Sequence, residues 1–234
     1  MSFVSPDNQQ LTSQVARIRA GYANFQTALR GAAAVLLTGL GNGTHNLVSM
    51  NNALDTIAQD YLDAAREQVL EDLGNVSASS LKTSRSESSP DISTRALSVA
   101  DALHRGFAAD VERSVERAVA KDVKTTLEFV RTQVMQGRFV ATSEQLVHDL
   151  KFTVTGKMTL DSDEFVRREV NWAYRQQYNT IMVHVLLARE VDEARIDGGS
   201  SDGQTLDLMV YDQLQPKFFH HNSKSLLQPL DVGI

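Results

Sequence analysis

Apolar residues recur every three or four positions over long stretches of this sequence, and this period restricts most of the chain to amphipathic helices. The first apolar stripe consists of Val15, Ile18, Tyr22, Phe25, Leu29, Ala32 and Leu36. The same period predicts helices over 11–39, 46–73, 93–136, 143–154 and 161–191. A turn-rich loop and a loosely alternating segment follow, which predicts one short strand or hairpin arm near 205–214.

The residues between these helices indicate how the chain is organised. Glycines at positions 39, 41 and 43 separate the first two helices, and so short a loop favours an antiparallel hairpin. A serine-rich stretch then offers little to bury and is predicted to be an exposed linker. We therefore divide the chain into an N-terminal helical hairpin, a Ser-rich linker, a long-helix region and a C-terminal tail, at 1–74, 75–92, 93–191 and 192–234. The predicted fold is mainly α, with long helices in a hairpin or bundle arrangement and a small irregular or α+β C-terminal tail.

The third predicted helix has an unusual repeat, because an apolar residue occupies every fourth position from Val99 to Leu127. Four residues advance about 400° around an α-helix, so the apolar stripe drifts by about 40° at each step. A coiled-coil seam does not drift in this way. The helix therefore either breaks near Gly106 or meets different neighbours along its length, and we expect the second.

Composition excludes several classes of function. The formal net charge is −6, and 23 basic residues are interspersed among 29 acidic ones, which argues against a dedicated nucleic-acid binder. The absence of cysteine excludes disulfides, thiolate zinc sites and cysteine nucleophiles. The N-terminal residues lack the pattern of a signal peptide, and no apolar run approaches the ~20 residues of a membrane span.

Three groups of residues have the chemistry of a site, and each has a simpler explanation. The glycines of 39–43 follow a helix rather than a strand and lack the spacing of a phosphate loop. His220 and His221, with aspartates upstream, would make a nitrogen–oxygen metal site only with spacing that is not found here. Glu169 beside Arg167 and Arg168 could be an acid–base site, but no nucleophile or cofactor motif accompanies them, which favours a salt-bridged helix face. We therefore predict no catalytic, cofactor or metal site.

Two segments carry a family resemblance. The tail segment Pro-Lys-Phe-Phe-His-His-Asn-Ser-Lys-Ser-Leu-Leu-Gln-Pro, at 216–229, resembles the closing motif of the Mu F-like minor head, or head morphogenesis, family. That motif is a proline and an apolar residue, then His-Pro-Asn-Cys-Arg-Cys, an apolar pair and another proline. Upstream, Arg-Arg-Glu-Val-Asn-Trp-Ala-Tyr at 167–174 is similar to the family's Arg-Thr-Glu-Val helix, and places Arg167 and Glu169 in the motif.

The departures from the tail motif carry information of their own. His220 and Asn222 occupy matching positions, and Lys224 replaces the arginine, but Ser223 and Ser225 stand where the two cysteines belong. Serine hydroxyls bind zinc poorly beside thiolates. The resemblance therefore implies a metal-free tail, held by hydrogen bonds or packing, in which these residues are structural.

The resemblance implies a structural function in the virion of a tailed phage. A minor head protein is made in the bacterial cytoplasm and docks by helical faces to portal or major capsid protein, among other virion proteins. The acidic balance leaves room for only weak contact with packaged DNA. A head–tail connector, a scaffold or an ejected internal protein are alternatives. Some larger relatives carry catalytic domains, but no nucleophile–base pair is readable here, so an enzyme is not expected.

Overall fold

The computed structural model describes residues 5–84, 90–156, 159–213, 219 and 223–230. Its α-helices are α1 (Pro6–Gly41), α2 (Leu47–Thr83), α3 (Pro90–Met135), α4 (Ser143–Asp149) and α5 (Ser162–Ala188). Its strands are β1 (Thr153–Thr155), β2 (Thr159–Asp161), β3 (Glu193–Asp197), β4 (Thr205–Asp207) and β5 (Leu226–Pro229). The predicted mainly α fold with a small C-terminal β region is confirmed. Among the described residues, no helix combines the length and apolarity needed to cross a membrane.

The chain forms two compact units, and each is assembled from separate stretches of sequence. Unit 1 comprises Met1–Ala16, Gln68–Val111 and Arg168–Ile234, and unit 2 comprises Arg17–Glu67 and Glu112–Arg167. Helix α3 is unbroken at Gly106. Its residues up to Val111 belong to unit 1, and those from Glu112 onwards belong to unit 2. This agrees with the drifting apolar stripe, which predicted different neighbours along one helix.

Three aromatic rings join α1 and α2 within unit 2. The rings of Phe25 and Tyr61 stack with their centroids 4.8 Å apart, and Tyr22 meets each of them edge-on at 5.5 Å. Such offset and edge-on pairs add attraction beyond the apolar area that they bury. Because α1 ends at Gly41 and α2 begins at Leu47, the contact lies at a similar distance from the loop on both helices. This is the geometry of an antiparallel hairpin.

One buried carboxylate organises the polar interior of unit 2. Asp122 on α3 is fully buried and accepts hydrogen bonds from the Tyr22 hydroxyl at 2.8 Å, the Gln26 amide at 3.1 Å and the Ser162 hydroxyl at 2.7 Å. Burial raises the pKa of Asp122, and these three hydrogen bonds oppose the rise because they favour the charged form. Side chains from α1, α3 and α5 are thereby fixed to one point.

The predicted serine-rich linker does not begin at residue 75, because α2 continues through Gly74 to Thr83. Within unit 1, the serines that the structure describes in this stretch form hydrogen bonds. The buried Ser80 hydroxyl donates to the backbone oxygen of Tyr178 at 2.9 Å, and the Ser77 hydroxyl donates to Leu73 one turn earlier. Small hydroxyl side chains permit close helix contact here, so the composition that suggested a linker instead serves packing.

Two other predicted elements, the fourth helix and the strand near 205–214, are shorter in the structure. The fourth predicted helix is shorter than expected, since α4 ends at Asp149 and Thr153–Thr155 forms β1, paired with β2 in an antiparallel hairpin of unit 2. Threonine and valine favour an extended backbone there. The predicted strand near 205–214 is only Thr205–Asp207. In unit 1, β3 lies between β4 and β5, and both neighbours are antiparallel to it.

Replacing Asp122 with Asn should flatten the pH dependence of stability. A carboxyl whose folded pKa is raised keeps a proton that the unfolded chain has already released, so the free energy of unfolding falls as pH rises from 3.8 towards the folded pKa. Urea unfolding across this range should show the fall in the parent and a smaller fall in Asp122→Asn. The exposed Asp60, changed to Asn, is the control, and equal slopes in all three proteins would contradict the prediction.

Candidate functional site

Three buried polar side chains lie along one face of α5. Asn171, Arg175 and Asn179 are spaced by four residues, which places them above one another on an α-helix. All three are buried among apolar neighbours in unit 1. Buried polar groups need hydrogen-bond partners, so these three side chains require polar groups from another segment of the chain to pack against this face of α5.

The partners of this row are the backbone groups of the C-terminal tail. The Asn171 amide donates to the Ser223 oxygen at 3.1 Å, and the Arg175 guanidinium donates to the Lys224 oxygen at 2.9 Å. Asn179 accepts from the Leu227 N–H at 2.9 Å and lies 3.5 Å from the Ser225 oxygen. The tail is thus held residue by residue to α5. We call this arrangement, with the groups from α1 and the β3 loop that join it below, the tail clasp.

Arg175 is the centre of the tail clasp. Its Nη1 donates to Asn8 Oδ1 and to the Lys224 oxygen, both at 2.9 Å, and its Nε donates to Asn171 Oδ1 at 2.8 Å. Its Nη2 lies 3.4 Å from the Thr12 hydroxyl. Burial lowers the pKa of Arg175 to about 10, and the nearby Asp197 carboxylate opposes the shift. The guanidinium therefore remains charged at neutral pH.

Asn8 links α1 to both the tail and the end of β3. Its amide donates to the Lys224 oxygen at 2.9 Å and to Asp197 Oδ2 at 3.2 Å, while its own oxygen accepts from Arg175. The Ser5 hydroxyl also donates to Asp197 Oδ2, at 2.6 Å. Asp197 is buried, so its negative charge is held by neutral donors and faces the positive charge of Arg175. Opposite charges inside one hydrogen-bonded network offset each other's desolvation.

Ser223 and Ser225, which sequence analysis compared with the cysteines of the Mu F-like motif, belong to the tail clasp. Ser223 Oγ accepts from the Ser225 N–H at 3.0 Å, and Ser225 Oγ donates to the Gly198 oxygen at 3.2 Å. Gly198 and Gly199 have φ of 80° and 74°, the left-handed conformation that glycine tolerates. A Cβ on Gly199 would lie 2.5 Å from Ser225 Oγ, so only glycine lets the loop approach the tail this closely.

A second polar contact in unit 1 anchors the last strand. The carboxylate of Asp7 accepts from the hydroxyls of Ser79 at 2.5 Å, Thr83 at 2.6 Å and Tyr178 at 2.8 Å. Gln228 on β5 donates to the same Tyr178 hydroxyl at 3.1 Å. Burial, followed by the nearby Asp7 charge, raises the pKa of Tyr178 well above its ordinary value, so this hydroxyl keeps its proton.

The structure brings together only part of the predicted set of residues. Ser223 and Ser225 lie in the tail clasp, whereas His220 and Asn222 lie outside the described residues. Arg167 forms a two-pronged ion pair with Glu164, with both N–O distances 2.7 Å, which agrees with a salt-bridged helix face. Glu169 is half-buried further along α5. Sequence analysis did not single out Asn8, Arg175 and Asn179, and it considered Asp197 only as one of the aspartates of a metal site with His220 and His221.

The other candidate groups are placed as follows. The glycines at 39 and 41 end α1, and a Cβ on Gly39 would collide with the ring of His45, so the loop is packed by its own side chains. In the part of the chain that the structure describes, no three His, Asp or Glu side chains are grouped closely enough to hold a metal ion. The pair His220–His221 lies outside that part.

The tail clasp joins three distant stretches of unit 1 through hydrogen bonds between its own polar groups. Such an arrangement can fix backbone and resist separation of the tail, and its groups are engaged with each other rather than aimed at a ligand. Comparisons with protein-family models, curated proteins and solved structures find no match to this chain. Function is therefore inferred from the tail motif and from the geometry of the clasp.

Replacing Arg175 with Ala should destabilise unit 1 more than an ordinary surface change. The variant leaves the buried Asp197 carboxylate without a counter-charge, and we expect the free energy of unfolding to fall by roughly 3–5 kcal/mol. Urea unfolding followed by circular dichroism measures the loss. Arg195, exposed on β3, is the matched control and should change by less than about 0.5 kcal/mol when replaced by Ala. Equal losses in the two variants would contradict the central position of Arg175.

Replacing Gly199 with Ala tests the close approach of loop and tail. Gly203 has a similar φ of 80° and open space around its Cβ, so Gly203→Ala measures the backbone cost alone. Gly199→Ala adds a collision with Ser225 Oγ and should cost about 1–3 kcal/mol more. Thermal or urea unfolding of both variants gives the difference. If the free energy of unfolding falls equally in both variants, the close contact between Gly199 and Ser225 does not restrict residue 199 to glycine.

Proposed function

We propose that this chain is a structural minor head protein of a tailed phage, of the Mu F-like head morphogenesis type. The single observation that supports this most is the position of Ser223 and Ser225. They stand at the two cysteine positions of the family's closing motif, and both are buried in the tail clasp. A motif that matched by chance would have no reason to coincide with the residues that hold the tail.

The contacts of these serines support a clasp without metal. In the family's motif, a cysteine pair in the tail and a glycine-containing loop are arranged so that a metal ion could join them. In this chain the Ser225 hydroxyl joins the tail directly to the Gly198 oxygen, and the Ser223 hydroxyl fixes the turn between the two serines. Hydrogen bonds thus connect the same two segments that a metal would connect.

The order of elements supports the same proposal. The helix that carries the upstream motif is α5, the loop Asp197–Gly199 follows it, and the tail comes last. Of the side chains that bind the tail, Asn171 lies within that upstream motif and Arg175 directly follows it. Helix, loop and tail therefore form one module, as a family whose signature spans these three segments requires.

The mechanism that we propose is docking rather than catalysis. The module would keep the C-terminal part compact while exposed helical faces bind portal or major capsid subunits during head assembly. The protein would reside in the phage head after synthesis in the bacterial cytoplasm. With a net charge of −6, contacts with other virion proteins would dominate over contacts with packaged DNA, because phosphate binding depends on clustered Lys and Arg.

Mass spectrometry of purified phage heads tests the proposal. The chain should be found in heads of the virus that encodes it, in far fewer copies than the major capsid protein. A virus with the gene deleted should yield defective or empty heads, and supplying the chain from a plasmid should restore them. Absence of the chain from purified heads would overturn the minor-head assignment.

The mass of the purified chain separates this proposal from the connector alternative. A connector is expected to form a stable ring of twelve subunits without any other component, whereas a minor head protein is not. Light scattering after size-exclusion chromatography gives the mass directly. A dodecamer would replace the minor-head proposal with a connector.

A further inference from the structure

The loop between α1 and α2 in unit 2 contains an asparagine that is followed directly by glycine, Asn42–Gly43. No other asparagine of the sequence precedes a glycine. Both residues are exposed, and Gly43 has a φ of 76° with open space where a Cβ would lie. A glycine nitrogen can approach a neighbouring carbonyl closely, because no side chain shields it.

The side-chain amide of Asn42 is oriented by Thr44. Asn42 Oδ1 accepts from the Thr44 N–H at 3.1 Å and from the Thr44 hydroxyl at 2.7 Å. A backbone N–H can bond only to the oxygen of an amide group, so Oδ1 faces Thr44 and Nδ2 points away from it. Among the residues that the structure describes, none accepts a hydrogen bond from this nitrogen. The carbonyl is thus polarised by two donors, and the nitrogen is free to leave.

We propose that Asn42 is a site of spontaneous deamidation, with the Gly43 backbone nitrogen as the nucleophile. This nitrogen loses its proton and bonds to Asn42 Cγ, the Cγ–Nδ2 bond breaks, and Nδ2 takes up the proton and leaves as ammonia. Water then opens the cyclic imide at either carbonyl, which gives aspartate or, with the chain continuing through the side-chain carbonyl, isoaspartate. One water is consumed and one ammonia is released, so no other reactant is needed.

Thr44 assists the first step of this reaction. Negative charge develops on Asn42 Oδ1 as the nitrogen attacks, and the two donors of Thr44 already lie against that oxygen. Donors that are in place where charge develops stabilise the transition state more than the ground state. The effect is smaller than in a closed active site, because water competes for the same oxygen in an exposed loop.

Asn46 provides an internal control in the same loop. It is exposed, and its Oδ1 also accepts from two N–H groups, those of Val48 at 3.0 Å and Ser49 at 2.9 Å. The residue that follows it is Leu47, whose side chain hinders its nitrogen and whose backbone is held in the first turn of α2. Asn46 should therefore keep its amide while Asn42 loses it.

The two products change the loop differently. Aspartate at position 42 keeps an oxygen for Thr44 and adds a negative charge to a chain of net charge −6. This charge lies at the C-terminal end of α1, which disfavours anions and has no basic residue in its last turn. Isoaspartate also lengthens the main chain, in a loop so closely packed that a Cβ on Gly41 would lie 2.6 Å from the Cβ of Phe139. This inference does not depend on the proposed function.

Tryptic peptide mapping of the purified chain, after incubation at mildly alkaline pH, tests the proposal. Residues 31–66 form one tryptic peptide, which contains Asn42, Asn46, Asn51 and Asn52. Fragmentation should place the mass gain of deamidation at Asn42 alone. Labelling by an isoaspartyl methyltransferase should rise in parallel, and both signals should grow faster as pH rises, because the attacking nitrogen must lose its proton. Equal conversion of Asn42 and Asn46 overturns the site, and deamidation without isoaspartate overturns the cyclic route.

Three variants test the assigned atoms, and circular dichroism checks that each keeps its helices. Asn42→Gln should abolish the conversion, because its longer side chain must form a larger and slower ring. Thr44→Val should slow it severalfold, whereas Thr38→Val removes an exposed hydroxyl that donates to the Ala34 oxygen within α1 and should match the parent. In urea the parent and Thr44→Val should convert equally, because unfolding removes the contact. Equal rates of the two threonine variants in the folded chain overturn the assistance by Thr44.

Discussion

Burial of the Arg175 guanidinium is the constraint on which unit 1 depends. A charged group without water needs a full set of acceptors, and these come from Asn8 on α1, Asn171 on α5 and the Lys224 backbone oxygen in the tail. No one of these stretches can supply them alone. The folded state of unit 1 therefore requires all three at once, and the Asp197 carboxylate keeps the cation stable enough to hold its proton. Apolar packing supplies most of the driving force, but this network selects which segments meet.

Unit 2 has the opposite kind of centre. Asp122 is a buried anion surrounded by neutral donors, two hydroxyls and one amide, and burial raises its pKa. Its hydrogen bonds fix the rotation of α1 and α3 and the start of α5 more narrowly than valine and leucine contacts do, because a hydrogen bond depends on angle as well as distance. In each unit, hydrogen bonds to a buried charged side chain, Arg175 or Asp122, thus restrict the register of elements that apolar burial brings together.

The long helices could be predicted from the sequence alone, because their apolar period extends over many turns. The prediction was wrong at residues 75–83, where the choice between linker and helix depends on contacts with distant residues. Ser80 donates to the Tyr178 backbone, and Tyr178 is about a hundred residues away. Local composition contains no information about such a partner, so the serine-rich segment was predicted to be exposed. The position where α2 ends depends on its contact with α5, which the local sequence does not show.

Only part of the site could be predicted from the sequence, because several of its contacts join segments that are distant in the chain. The tail motif singled out Ser223 and Ser225. The four-residue spacing of Asn171, Arg175 and Asn179 places them on one face of α5, but the sequence does not show that this face is buried. Asn8 and Asp197 gave no such signal. Each is an ordinary polar residue beside a helix start or a turn, and it becomes part of the site only because the tail packs against it. Partners from distant segments become visible only in three dimensions.

A clasp closed by hydrogen bonds depends on different conditions from one closed by a metal ion. A clasp closed by metal contributes folding energy only where the metal is bound and the thiols are deprotonated. The hydrogen bonds from Ser225 to Gly198 and from Arg175 to Lys224 depend on neither, since the hydroxyl is neutral and the guanidinium stays charged across the physiological range. A single hydrogen bond contributes only about 1 kcal/mol to stability, so several are needed to hold a segment of this length. Asn8, Asn171, Arg175 and Asn179 accordingly share the contacts with four tail residues, Ser223, Lys224, Ser225 and Leu227. The clasp is extended because none of its bonds is strong enough alone.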